Sequence, residues 1–257
     1  MYAAGSIAAG ILDLVWGDFE AAHQPIQAFG DHIPHRELLA YLAAIWLIAG
    51  GAAILWRRTA RAGAWALAAI YFIFAAFWIP RFYTAFHLLG FSGSLLIGLF
   101  VGVGQQLILV AAAGVVLLSF APPGAPWKSR VFILVRWTFG LSSIDFGLAH
   151  FTGVQAVAAM VPKWMPLGAN FWVVFTGIAF VFAGVAILSG ILDLTAARLL
   201  ALMLLAFSVI VLAPRALARR DHVPWGSNAY NLAAVGSAWL AAESIAARLR
   251  PELERAS

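Results

Sequence analysis

The chain has 257 residues, 63% of them hydrophobic and 11% charged, with a mean hydropathy of +0.92, where a soluble domain carries about 25% charged residues; the composition is that of a polytopic membrane protein. The net charge of +5 comes from Arg residues in short loops and at helix ends, where topology signals and lipid headgroups account for it and nucleic acid does not. With no cysteine, disulfides, thiol catalysis and cysteine-ligated clusters are excluded from this chain.

The opening run MYAAGSIAAGILDLVWGDF lacks a basic leader and holds Asp13 inside its apolar stretch. It therefore reads as a first spanning helix, about Ala3 to Phe19, and not as a cleaved signal. In the loop HQPIQAFGDHIPHRE, Pro25, Gly30 and Pro34 prevent a continuous helix. The next apolar run, about Leu38 to Trp56, ends at Arg57, Arg58 and Arg61. Another, about Ala62 to Ile79, stops at Pro80-Arg81. Phe82 to Gly93, which holds His87, reads as an interfacial connection. A further helix runs from about Leu95 to Phe120, with Gln105 and Gln106 near its middle.

The Pro- and Gly-rich stretch APPGAPWKSR is the linker. Beyond it a helix spans about Val131 to Gly153, and a loop containing VPKWMP leads to another at about Phe171 to Leu188. The run from about Thr195 to Ala213 ends at Pro214-Arg215. A loop with Arg219, Arg220, Asp221 and His222 precedes the last helix, about Ala229 to Ala247.

The expected fold is all-α, a polytopic membrane protein of eight transmembrane helices in two parallel four-helix repeats, 1–120 and 131–257, joined by 121–130. Trp78-Ile79-Pro80-Arg81 aligns with Leu212-Ala213-Pro214-Arg215. One register of the repeat places Asp13 on Asp145 and Phe19 on Phe151. Another places Gly10 on Gly140, Gly17 on Gly147 and Glu20 on His150, and both stay open. Lys and Arg in the short loops favour both termini on the cytoplasmic side, although Arg215, Arg219 and Arg220 oppose it.

The densest chemistry lies in RWTFGLSSIDFGLAHF, Arg136 to Phe151. A carboxylate in mid-helix costs roughly 2.5–3.5 kcal/mol on insertion scales, so Asp145 calls for a partner on another helix or a ligand. Ser142 and Asp145 share a helix face, whereas Arg136 and Asp145 fall on opposite faces, about 13.5 Å apart along the axis. Asp145 and His150 could pass protons to a reducible ligand, since an imidazole takes and gives a proton near neutral pH. The bland reading makes Asp145 a structural anchor bonded to Ser, Trp or Tyr. Asp13, its first-half counterpart in the first of those registers, has the same two readings. Asp18 and Glu20, near a helix end, read as solvated.

His23, His32 and His35, with Asp31 and Glu37, could ligate Zn²⁺ or Cu²⁺, but their spacing fits no defined site and solvated loop histidines are the simpler reading. Bis-His haem needs a second intramembrane His beside His150, and no second one is clearly intramembrane. Gln105, Gln106 and Asn231 suit interhelical hydrogen bonds or a quinone carbonyl. Pro80-Arg81 and Pro214-Arg215 most simply end helices and snorkel to headgroups; their recurrence makes Arg81 and Arg215 candidate headgroup contacts. Gly98-x3-Gly102 has the form of a close helix-packing motif. No nucleotide-binding or protease motif occurs.

Arg136, Gly140, Gly147 and His150, followed by Val161-Pro162-x-Trp164-Met165-Pro166, resemble the DoxX-like family of small bacterial membrane proteins. His150 stands where Lys is more usual. The resemblance covers Arg130 to about Ala247, and the first half is a weaker copy. It implies an inner-membrane, quinone-linked redox component; the leading expectation is a subunit that holds a quinone or lipid, works with a soluble or membrane partner and uses Arg136 to position its helix or a headgroup. It transfers no agreed active-site residue. Two other readings remain: a proton-coupled transporter of a small solute, and a non-catalytic scaffold that recruits a soluble enzyme.

Overall fold

The computed structural model describes residues 1–20, 23, 34–122 and 124–256, with side chains to Arg248. The described residues form helices and no strand. The helices are α1 (Tyr2–Trp16), α2 (Arg36–Ile54), α3 (Ala60–Leu89), α4 (Gly93–Leu118), α5 (Trp127–Thr152), α6 (Val154–Ala158), α7 (Ala169–Ser189) and α8 (Asp193–Ala206). A π-helical stretch Phe207–Leu212 follows, then α9 (Ala213–Ala218) and α10 (His222–Ala256). Among the described residues, α2, α3, α4, α5, α7 and the run Asp193–Ala218 are six helices long and apolar enough to cross a membrane. Their outward faces carry Trp65, Phe72, Phe182 and Leu199, all exposed, as a lipid-facing surface requires.

Each long helix packs against its neighbours in a closed circuit, α1–α2–α3–α4–α5–α7–α8–α10 and back to α1, with α4 also touching α10. One apolar core runs through both halves of the chain, from Tyr2 and Leu47 to Ile187 and Ile245. Small residues let the backbones approach. A methyl group on Gly10 would lie 2.6 Å from the Ala44 carbonyl oxygen and 2.8 Å from Ile48; one on Gly140 would meet the Gly184 carbonyl and Leu188. Likewise Gly17 faces Glu37 and Tyr41 of α2, while Gly147 faces Gly177 and Val181 of α7. Each glycine thus meets two residues one helical turn apart on the next helix, at matching spacings in the two halves. Gly98 does not belong to such a seam, because a side chain there meets nothing within 4 Å. Only Gly102 of that motif is packed, beneath the Trp78 ring.

The two proline punctuations behave differently from expectation. Pro80 does not end a helix: α3 continues through it to Leu89, so Phe82 to Leu89 is helical and not an interfacial connection. A bilayer favours this, since a helix that stops in hydrocarbon exposes more unpaired backbone than one proline removes. Pro214 does not end its helix either. The chain loosens into the π-helical stretch before it and resumes as α9, which lets the proline ring clear the preceding carbonyls. The linker is shorter than its composition suggests, because α5 already begins at Trp127.

Gly147→Val would place a branched side chain where even a methyl sits 2.7 Å from the Gly177 carbonyl. The expected cost is about 1–3 kcal/mol, read as a lowered thermal unfolding midpoint in detergent, whereas Gly98→Val leaves that midpoint unchanged.

Candidate functional site

A cavity of about 860 Å³ opens between α3, α4, α5, α7, the π-helical stretch and α10. That is the size of a site for a cofactor or drug-sized molecule. Its wall is mainly apolar, with Phe146, Phe180 and Phe207 among the lining rings. The candidate residues His150, Gln105 and Asn231 line it, and so does Glu20. Asp145, Asp13, Arg136, Gln106, Arg81 and Arg215 are not part of the lining.

His150 is held on three sides. Its ring packs 5.2 Å from that of Phe180, its Cβ fits against Gly177, and Nδ1 lies 2.7 Å from the Phe146 carbonyl oxygen. A carbonyl can only accept, so Nδ1 carries the proton and a neutral His150 keeps Nε2 as a bare acceptor. Asn231 is already committed. Its amide nitrogen donates to the Leu204 carbonyl at 2.7 Å and to Ser208 Oγ at 2.8 Å, which steadies α8 where it passes into the π-helical stretch. Gln105 reaches the cavity from α4, while Gln106 is fully buried outside it.

The carboxylates expected to be equivalent are in different surroundings. Asp13 is fully buried, and its Oδ1 accepts from the Glu20 backbone N–H at 3.0 Å and lies 3.2 Å from His222 Nε2. His222 stacks on Trp16 with ring centroids 5.1 Å apart. This pair joins the first helix to the last. Asp145 Oδ2 is buried with no hydrogen-bond partner among the described residues. Arg136 turns away from it, donating from Nε to the Ile187 carbonyl at 2.5 Å and facing Asp193 at 3.6 Å. Gly190, at φ 80°, leaves room for that guanidinium at the turn between α7 and α8.

Several expectations need correction. Glu20 is not solvated but buried at the cavity wall, while Asp18 is held by Arg36 at 2.7 Å. Arg81 does not snorkel. It is buried, 4.0 Å over the Trp78 ring, and within electrostatic reach of Glu20. Arg215 instead donates to the Ala159 carbonyl at 3.3 Å. His23 is not a solvated loop residue: it is buried and stacked 4.3 Å from Phe74. His35 is exposed at the start of α2, and His32 and Asp31 lie outside the described residues. No cluster of three or more potential ligands forms among the described residues.

Neither the family models, the curated proteins nor the solved structures yield a match to this chain. The site therefore rests on its own geometry.

Sequence reasoning missed His222 and the cavity role of Glu20. His222 sits in a polar run that reads as a loop, and its contact with Asp13 spans 209 residues, beyond any local pattern. For Glu20 a signal existed, since one repeat register places it on His150. Removing one member of a buried pair leaves the other uncompensated, at about 3–5 kcal/mol. His222→Leu is therefore expected to lower the thermal midpoint sharply, and Asp13→Asn, which keeps a hydrogen bond to the imidazole, to lower it much less.

Proposed function

We propose that the chain is a DoxX-like membrane subunit whose cavity holds a lipid-soluble molecule, a quinone or a lipid, and that it serves redox chemistry with a partner protein. The observation that carries this reading is the apolar cavity of about 860 Å³ with His150 on its wall, set among helices long enough to span a bilayer. A cavity of that lining suits a ligand that arrives through the membrane, and a proton-exchanging imidazole suits one that is oxidised or reduced. In this reading α1 and α10 join the six apolar helices to make eight crossings. They form two parallel four-helix repeats, 1–120 and 131–257, in the bacterial inner membrane with both termini cytoplasmic. The matching glycine spacings support the repeat, in the register that sets Gly10 on Gly140 and Glu20 on His150.

A proton-coupled transporter is the second reading. The π-helical break at the cavity wall and the buried Asp13–His222 pair favour it, since helix interruptions and buried ionisable groups mark many transport sites.

Organic extraction, absorption spectroscopy and native mass spectrometry of one mild-detergent preparation test the first reading. A co-purifying quinone or lipid is expected, and Ala149→Trp, which fills the cavity, should lower its occupancy about tenfold or more, a change of ~1.4 kcal/mol. An empty protein that moves a solute across proteoliposomes would replace this reading with transport.

A further inference from the structure

Asp145 finds no partner among the described residues. Its Oδ2 is buried without a hydrogen bond, and Oδ1, also without one, is not sealed off. Arg136 is committed to Ile187 and Asp193. The surroundings of α5 explain this isolation. The helix meets α7 through Gly140, Ile144 and Gly147 and α4 through Ser142, and it turns Phe146, Ala149 and His150 to the cavity. The remaining face carries Leu134, Thr138, Leu141, Asp145, Leu148 and Thr152, spaced four, three, four, three and four residues apart. Leu134, Leu141 and Leu148 are 65%, 52% and 40% exposed, so this face looks outward, with Asp145 between two leucines. An alternation of four and three is the 3.5-residue period with which one helix presents a continuous seam to another. A surface that meets only lipid gains nothing from a carboxylate, whereas polar groups join helices within a membrane.

We propose that this face of α5 docks a transmembrane helix of another protein, one that brings a Lys or Arg to Asp145. Docking here requires only that α5 crosses the bilayer, whatever the cavity holds. Asp145 lies seven residues before the end of α5 at Thr152, about 10 Å at 1.5 Å per residue, and the basic residue must reach that depth. Opposite charges attract more strongly as the dielectric falls, so a cation on the docked helix offsets the cost of the carboxylate where lipid cannot. A second copy of the chain is a poorer occupant, because one inserted in the same sense brings to Asp145 only groups of the same depth. Arg81 has a matching depth, eight residues before the end of α3, but it is buried. His87, His150 and Arg215, two or three residues from the ends of their helices, lie too near the surface. A metal ion is no better, since no cluster of three or more potential ligands forms among the described residues.

Guest helices of one design test this: Leu/Ala peptides of about 20 residues, with Arg, Leu or Glu at one position about 10 Å from an end. Their association with the full-length protein in phosphatidylcholine vesicles is read by energy transfer between labelled protein and labelled peptide. The Arg helix is expected to associate about tenfold more tightly than the Leu helix, ~1.4 kcal/mol, and the Glu helix no more tightly than the Leu helix. Asp145→Leu should abolish the Arg preference, whereas Asp13→Asn should leave it in place. Because Asp145 faces outward, Asp145→Leu should not lower the thermal unfolding midpoint, which also shows that the variant is folded. Equal association of the Arg and Leu helices, or an Arg preference that survives Asp145→Leu, would overturn the proposal. So would a sharply lowered midpoint, which would make Asp145 an anchor within the chain. Energy transfer between differently labelled copies of the protein, lost in Asp145→Leu, would give the face to a second copy instead.

Discussion

Inside a bilayer no water is at hand for a polar group that the protein leaves unpaired, and the packing of this chain follows from where such groups find partners. Asp13 is the clearest instance. It is fully buried on α1, and the imidazole facing it belongs to His222 at the start of α10. The same seam is tightened by Gly5 and Gly236, where the backbones of α10 and α1 leave no space for a side chain. Tyr2 adds to it by donating across to the Leu109 carbonyl of α4 at 2.9 Å. Closing the circuit of helices in this way joins the two halves into one core instead of two bundles side by side.

A second constraint is that helices in lipid gain little from burying apolar surface against one another, so close approach must supply the attraction. The α1–α2 and α5–α7 seams achieve it with glycines at matching places. The Arg136 clamp on Ile187 and Asp193 holds the far end of the α5–α7 pair. A guanidinium that reads from sequence as a headgroup contact is thus used between helices, while Arg81 lies buried over Trp78 of its own helix α3.

The cavity exists because these rigid parts do not fill the space between them. On one side the helix carrying Pro214 opens into a π-helical stretch, and residues of that stretch line the cavity. Asn231 holds this irregular backbone by taking the Leu204 carbonyl. On the other side, the residues after α1 fold back so that Glu20 packs against Gly226 of α10. An apolar chamber with His150 on one wall and Glu20 on another results from helix breaks rather than from any one helix.

Much of this was legible in the residues. Apolar runs of bilayer length fix the all-helical character and most of the spans, since only a helix can satisfy its own backbone in hydrocarbon. The placement of His150 on a spanning helix, with Gly140 and Gly147 on the same segment, follows from the same local pattern. What no local pattern carries is which helix each polar side chain faces. Asp13 and Asp145 look equivalent along the chain, yet one is paired with His222 and the other is not. Glu20 looks like a solvated helix end, and Arg81 like a snorkelling one, until α3 continues past Pro80 and the last helix closes against the first. Hydrophobic periodicity is a property of a segment, and it alone decided the helices. The partners of buried charges and the shape of the space between helices are properties of segments far apart in the chain, so only the tertiary structure decided them.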